Sequence, residues 1–410
     1  MKYILKLLDS INQCLIPKLA KNFDERENHP EFEIRNNTLD QNFKSLEQYL
    51  GDLDLPNTKG TATIIAALII LYKELDCECP WNGEKSKEYS KKLNIYFELV
   101  CGSRLDTILH ENKNFNIQEI FNICLENLHS KLTYENFKKY PGQVEVYCWL
   151  AKDLRRFQVK VKPAQVFPAA LLLIEDYINI NTSKGLICCL SILRCLKSGD
   201  YEGGNYYEVI YRSLNKTFIE KDADITKLTH ACLLELCEIF PSYITQKLQE
   251  MYTGILDQLM TESNLYRKGE CLSFAKSIIE MHKVNCISEN TFKVIICDCL
   301  DICTNEVVAD ILLNKTLECL DEWIQYGWCV WRFSTDYRMI SILFKVLYVC
   351  KDNSTALYIQ KLIVTFITLC KPEEKKQILK SLENVNKISS VNFRNQVEAI
   401  KKEINITNIT

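Results

Sequence analysis

Between residues 163 and 240 the chain carries four helix-length apolar segments in succession, separated by short polar breaks. The segments read PAQVFPAALLLIEDYINI, NTSKGLICCLSILRCL, NYYEVIYRSLNKTF and ITKLTHACLLELCEIF. Helix-length segments that follow one another across short breaks are expected to pair as antiparallel hairpins. The region therefore predicts a stack of helix pairs, an architecture typical of binding scaffolds.

Helical spacing of apolar residues continues through nearly the whole chain, and no convincing run of strict alternation appears. Twelve glycines and nine prolines are few for 410 residues, which favours long helices over strands and loops. Predicted helix starts in the second half recur about every 20 residues, so pairs recur about every 40, the period of HEAT and armadillo arrays. We predict an all-α fold, a HEAT/armadillo-like α-solenoid of stacked antiparallel helix pairs.

The break at Pro141-Gly142 is the best candidate for a boundary, and it divides the chain into an N-terminal helical region, 1–140, and a helical-repeat region, 141–410. It could equally be a turn between helices. Residues 24–38 are polar and predict a loop. The most apolar window, residues 62–72, is about half as long as a bilayer crossing requires, so we predict a buried helix and no membrane contact.

Most of the twenty cysteines lie inside apolar runs, where a thiol behaves as a small hydrophobe. Lys6 and Asp9 interrupt the apolar start of the chain, so that segment predicts an amphipathic helix and not a signal peptide. We expect reduced thiols and a location in the cytosol or the nucleus. The net charge of −3 and the lack of interleaved aromatic residues around the basic stretch 152–162 argue against a nucleic-acid partner.

The sequence holds few residues in patterns that support catalysis. None of the five histidines pairs with another at metal-binding spacing, and Cys77-x-Cys79 has no matching second pair. His230 and Cys232 are two residues apart and would face opposite sides of a helix. We therefore expect a non-enzyme without a metal or a cofactor. A helical-repeat transferase would need convergent histidine, aspartate and cysteine ligands, which the chain does not supply.

Two clusters are candidates for partner binding. Glu175 and Asp176 are expected near a helix C-terminus, where the helix dipole disfavours negative charge. We expect them to have a charge partner, either Lys184 or a second protein, and the alternative is a solvated pair.

The second cluster is the turn from Trp328 to Arg338, which also holds Trp331 and Arg332. Tryptophan and arginine are enriched at binding hot spots, but tryptophan is just as often repeat core, as we expect for Trp323 nearby. Ser334 is predicted to cap the helix that follows.

The block from residue 163 resembles the family of the second Tel-interacting protein, a subunit of the triple-T (TTT) complex. The matching features are a proline, a leucine run ending in an acidic pair, a glycine before a Cys-Leu helix, and a V-I-Y helix. They fall on Pro168, Leu171 to Ile174, Glu175, Asp176, Gly185, Cys189, Leu190, Val209, Ile210 and Tyr211. The chain departs from the pattern at the tryptophan turn, which reads WCVWR where the family has Trp-Pro-Arg.

The resemblance implies a non-catalytic scaffold and co-chaperone that joins the first Tel-interacting protein and Tel-two. It further implies that this complex helps phosphatidylinositol-3-kinase-related kinases mature with heat-shock chaperone adaptors, which supports DNA-damage signalling and telomere maintenance. The alternative is a transport or cargo-binding α-solenoid adaptor unrelated to kinase maturation.

Overall fold

The computed structural model describes residues 2–51, 60–110, 114–202, 204–240, 244–332, 337–384 and 388–407, and every regular element in these ranges is a helix. The α-helices are α1 Lys2–Cys14, α2 Pro30–Gly51, α3 Thr61–Asp76, α4 Glu84–Cys101, α5 Ile117–Lys131, α6 Pro141–Lys152, α7 Pro163–Ile174, α8 Asn179–Leu193, α9 Tyr206–Thr217, α10 Ala223–Ile239, α11 Ile244–Thr261, α12 Leu265–His282, α13 Thr291–Ile302, α14 Glu306–Gly327, α15 Arg338–Val349, α16 Asn353–Thr368, α17 Pro372–Leu382 and α18 Val391–Thr407. No described helix has both the length and the apolarity to cross a membrane.

The chain divides into two compact units. The first comprises Met1–Thr217 with Ala231–Ile239, and the second comprises Phe218–His230 with Phe240–Thr410. In the second unit α12 packs on α14, α14 on α16 and α16 on α18, while α11, α13 and α15 form a parallel layer in the same way. Consecutive helices also pack across the two layers, as α13 does with α14 and α15 with α16. The predicted all-α, HEAT-like solenoid of stacked helix pairs is confirmed.

Pro141 is the first residue of α6, which packs on α3 and α5 within the first unit. Proline suits this position because the N–H groups in the first turn of a helix have no acceptor within the helix, so the missing N–H of proline breaks no hydrogen bond. The division of the chain at residues 140 and 141 stays a prediction.

The loop predicted over residues 24–38 is wrong from Pro30 onward, where α2 begins. Its polar first turns are helical because Arg35 continues the buried stripe formed by Leu39 and Phe43. The Arg35 guanidinium, 2% exposed, donates to the Cys14 carbonyl at 3.2 Å and to the Ser86 hydroxyl at 3.1 Å. A buried charge that is hydrogen-bonded in this way can occupy an apolar position.

Helix α3 contains the apolar window that the sequence predicts to be a buried helix, and this prediction is confirmed. Ten of its residues, from Ile64 to Leu75, are buried. The helix packs against α1, α4, α5 and α6, so it has no face left for solvent. It is the core of the first unit.

Gly185 lies in the middle of α8, which begins at Asn179, so this glycine is within the Cys-Leu helix and not before it. A Cβ at Gly185 would come within 2.6 Å of the Ile174 backbone nitrogen and 2.8 Å of the Ala170 carbonyl oxygen. Helices α7 and α8 therefore touch backbone to backbone at this point, and only glycine fits there.

Polar contacts between neighbouring helix pairs recur at a nearly constant separation along the chain. The Lys184–Glu145 pair spans 39 residues and the Lys351–Glu306 pair spans 45. In between, Gln249 donates to Glu289 across 40 residues and Lys276 pairs with Glu318 across 42. This spacing is close to the predicted repeat period, so within each unit these contacts tie one pair of helices to the next. We call these contacts the inter-repeat ladder.

Candidate interaction surfaces

Glu175 directly follows the last residue of α7, and its carboxylate contacts α9 in the following repeat. Its Oε1 lies 2.8 Å from the Lys216 ammonium and accepts a hydrogen bond of 2.9 Å from the Ser213 hydroxyl. Partial burial opposes ionisation, but these two bonds outweigh it and lower the pKa of Glu175. The side chain remains 38% exposed, so Glu175 is a surface charge with an intramolecular partner on α9.

Asp176 differs from its neighbour because its side chain is completely buried. Its Oδ1 lies 2.6 Å from the Lys138 ammonium, and its Oδ2 accepts a 2.7 Å hydrogen bond from the Asn181 side-chain amide. The Asp176 carbonyl accepts another from Thr182 in the first turn of α8. Asp176 therefore has a charge partner within the chain and fixes the turn between α7 and α8, so the alternative of a solvated charge is wrong for this residue.

Lys184 does not pair with either acidic residue. Its ammonium lies 2.5 Å from Glu145 Oε1 on α6, and both side chains are about three-quarters buried, with 28% and 23% exposed. Burial disfavours the ammonium, but the Glu145 charge and hydrogen bond outweigh it and raise the pKa of Lys184. The suggested Lys184 partnership is corrected: the structure assigns Lys216 to Glu175 and Lys138 to Asp176.

A groove of about 650 Å³ lies beside this edge in the first unit. Trp81 and Val144 lie in its lining, and Tyr177 and Ile180 contribute the exposed apolar surface, at 80% and 48% exposed. The Lys138 ammonium lies 3.9 Å from the centroid of the Tyr177 ring. The α7–α8 turn thus presents an aromatic side chain over an ion pair. We call the groove lined by these residues the Tyr177 groove.

At the second cluster, Trp331 points into the core and is 2% exposed, with its ring 4.9 Å from that of Phe366. Arg332 forms a two-pronged ion pair with Glu374 on α17, with one N–O distance of 2.6 Å. This pair lowers the pKa of Glu374 to about 2 and raises the pKa of Arg332. Trp331 therefore belongs to the repeat core and Arg332 to the ladder.

Of the four residues predicted to bind a partner in this cluster, Trp328 and Arg338 are exposed. Trp328 follows the end of α14 and is 58% exposed. Arg338 begins α15 and donates to Asp298 on α13 at 2.7 Å, with 42% of its side chain exposed. The expected cap Ser334 lies outside the described residues. Trp323 is buried and stacked on Phe292, as predicted.

Sequence reasoning missed Lys293, which organises the tryptophan turn. This α13 residue is 7% exposed, and its ammonium donates to the carbonyls of Val330 and Arg332 at 2.9 and 3.0 Å. Burial lowers the pKa of Lys293. No local signal identifies it, because its acceptors are backbone atoms 37 and 39 residues away.

His230 is a core residue of α10. It is 5% exposed and its ring stacks on Phe274 with centroids 4.1 Å apart. Burial, reinforced by the Arg267 charge, lowers the pKa of His230 to about 3. Across the described residues, no three His, Cys, Asp or Glu side chains are grouped so that they could hold a metal ion.

The fold places the chain in the class of helical-repeat solenoids. The structure described as "Kap95p Binding Induces the Switch Loops of RanGDP to adopt the GTP-bound Conformation" matches with a TM-score of 0.51 and 12% identity, over 98% of this chain and 48% of the matched one. At that identity the likeness concerns the fold alone.

In sequence, the chain is similar to human TELO2-interacting protein 2, with 23% identity over 164 residues. The match covers 40% of this chain and 32% of the relative, so the alignment spans about a third of that protein's length. No family model matches the sequence. The predicted resemblance to the second Tel-interacting protein is confirmed.

Proposed function

We propose that the chain is a non-catalytic scaffold subunit of a TTT-type complex. Its direct partners would be the first Tel-interacting protein and Tel-two. Through them it would assist the maturation of phosphatidylinositol-3-kinase-related kinases with heat-shock chaperone adaptors, and so DNA-damage signalling and telomere maintenance, in the cytoplasm and the nucleus. The observation that carries this proposal is the similarity to TELO2-interacting protein 2, whose name states that it interacts with TELO2.

The architecture supports a scaffold role. A solenoid offers long surfaces formed by successive repeats, and such surfaces suit extended protein partners. The charges predicted to bind a partner are largely used within the chain, since Arg332 and Lys184 belong to the ladder. The exposed aromatic residues Trp328 and Tyr177 are then the best candidates for contact with a partner.

The proposal predicts a defined set of co-purifying proteins. We would purify the tagged chain from its native cell and quantify bound proteins by mass spectrometry. We expect the first Tel-interacting protein and Tel-two in amounts comparable to the chain, and lower kinase protein levels after its depletion. Recovery of transport cargo without these two subunits would favour the alternative adaptor function and overturn the proposal.

The two tryptophans of the turn provide matched variants. Trp328→Ala removes an exposed ring and should weaken co-purification while leaving the melting temperature nearly unchanged. Trp331→Ala empties a core position and should cost about 3–5 kcal/mol of stability. Unchanged binding in a folded Trp328→Ala protein would remove this turn from the interface and leave the Tyr177 groove to be tested.

A further inference from the structure

The segment from Lys152 to Lys162 is the one basic stretch noted in the sequence whose lysine ammonium groups take no part in the inter-repeat ladder. Its five basic residues face a single acidic one, Asp153, so the segment carries a net charge of +4 while the chain carries −3. The basic members are all exposed. They are Lys152, Arg155, Arg156, Lys160 and Lys162.

The charges in this segment are largely uncompensated. Arg156 has a weak ion pair with Asp153 at 3.5 Å, and its side chain is 74% exposed. Among the described residues, no carboxylate lies within 4 Å of Lys152, Lys160 or Lys162. The ladder residue Lys351 is about as exposed as Arg156, yet a carboxylate oxygen lies 2.7 Å from its ammonium nitrogen.

The segment is nevertheless held in one conformation. Phe157, 6% exposed, inserts among the rings of His110, Phe121 and Trp149, with centroid distances of 5.2, 6.1 and 5.7 Å. The Gln118 side-chain amide then pairs with the Lys160 backbone in both directions. It accepts from the Lys160 N–H at 2.7 Å and donates to the Lys160 carbonyl at 3.0 Å.

The guanidinium of Arg155 adds a third attachment. It donates twice to the Arg194 carbonyl at the end of α8, at 3.2 and 2.7 Å. The backbone that carries the lysines is thus fixed from three sides. A partner that binds these cations need not order the backbone first, which reduces the entropic cost of binding.

We propose that this ordered basic segment, 152–162, is a docking site for an acidic, carboxylate-rich segment of a partner protein. Its part outside the helices, residues 158 to 162, ends in extended backbone at Lys162 and spans at most roughly 16 Å at about 3.3 Å per residue, a length that suits a short peptide. The inference goes beyond the proposed function and does not depend on the identity of the complex.

A peptide fits better than a nucleic acid for two reasons. Nucleic-acid strands bind through stacking on exposed aromatic rings, and Phe157, the aromatic residue within the segment, is buried. A long polyanion would also meet the excess of negative charge carried by the rest of the chain. A short acidic peptide would interact only with the positive charges of the segment 152–162.

The test uses purified full-length protein and a fluorescein-labelled oligoglutamate, with binding followed by fluorescence anisotropy across a salt series. We expect saturable binding that weakens with salt. The triple variant Lys152→Glu, Lys160→Glu, Lys162→Glu should bind the probe about tenfold more weakly or worse. Circular dichroism should show unchanged helicity, because the three side chains are exposed.

A matched control reverses three exposed lysines located elsewhere, Lys44→Glu, Lys227→Glu and Lys376→Glu, and so gives the same net charge. It should retain binding within about twofold. Equal losses in both triple variants would reduce the effect to net charge and overturn the proposal. Tighter binding of a single-stranded oligonucleotide of equal charge would overturn it in favour of nucleic acid, and absence of oligoglutamate binding would refute it directly.

Discussion

Adjacent residues at the end of α7 have opposite roles although their side chains carry the same charge. The Asp176 side chain is fully buried, whereas that of Glu175 is 38% exposed. Removing one member of a buried ion pair leaves the other charge without compensation in a poorly solvated place. An exposed pair is worth little because water already solvates both ions.

Single substitutions should therefore separate the two residues. We expect Asp176→Ala to cost about 3 kcal/mol of unfolding free energy, because Lys138 and Asn181 lose their acceptor. Glu175→Ala serves as the control and should cost less than about 1 kcal/mol. Chemical denaturation of each purified variant measures both values. Equal costs would mean that Asp176 is not the residue that fixes the turn.

His230 should make the second unit sensitive to acid. Its pKa is about 3 in the folded chain against an ordinary value of 6.5, so the unfolded chain binds more protons between these pH values. Stability from this residue is complete above about pH 6.5 and falls as the pH drops toward 3, by roughly 2 kcal/mol at pH 5.

The comparison is with His230→Phe, which keeps a ring against Phe274 but cannot titrate. The difference in melting temperature between the two proteins should change in favour of the variant as the pH falls from 7 to 5. A constant difference over this range would contradict a neutral, buried His230.

At the level of elements, Arg332 connects the tryptophan turn to α17. The low pKa of Glu374, about 2, means that the pair stays ionised through all but strongly acidic conditions. Helix α17 is otherwise weakly attached, since Leu382 is its one buried residue among those described. The ion pair is therefore expected to hold a helix that has little apolar packing of its own.

Arg332→Glu should increase backbone hydrogen exchange in α17. The charge swap with Glu374→Arg should restore part of the protection, because Glu374 also accepts the Lys371 N–H and arginine cannot. Arg338→Glu is the control, because Arg338 pairs with Asp298 on α13 and not with α17. If Arg338→Glu increases hydrogen exchange in α17 as much as Arg332→Glu does, the increase comes from general charge repulsion and not from loss of the Arg332–Glu374 ion pair.

The elements were predictable where the pattern is local. The spacing of apolar residues predicts α3 and α15 directly, because each helix buries a face defined by its own sequence. The partners of charged residues were not predictable in this way. Lys184 is close to Asp176 in sequence but pairs with Glu145, while Asp176 binds Lys138 from an earlier turn. Several lysine and arginine side chains could pair with each carboxylate, and the geometry of the repeats determines which of them does.

The start of helix α2 was predicted incorrectly as a loop. Its first turns look like a loop because polar residues dominate them, yet Arg35 is buried there. Its acceptors on Cys14 and Ser86 lie 21 and 51 residues away. A composition-based prediction cannot anticipate a helix whose buried charge depends on distant groups.

Across the whole molecule the cysteines report on packing. Of the twenty, Cys329 is exposed, four are half-buried and the rest are buried. Burial raises the pKa of Cys101 to about 11 and that of Cys286 to about 12, so these thiols are protonated and unreactive at neutral pH.

Alkylation of the native protein at neutral pH should modify Cys329 first, and Cys329→Ser should remove this fast phase. The buried thiols should react only as denaturant unfolds the units that contain them, as intact mass spectrometry would show. Rapid modification of many cysteines without denaturant would contradict the packing described above.

The inter-repeat ladder has a mechanical consequence. Each ladder contact joins a helix pair to the one about a repeat away, such as the largely buried pair of Arg332 and Glu374 across 42 residues. A pulling force on the second unit would then be resisted by one interface at a time. Releasing one pair frees about 40 residues, or roughly 140 Å of chain. A solenoid built this way can lengthen stepwise under load while its remaining helix pairs stay folded.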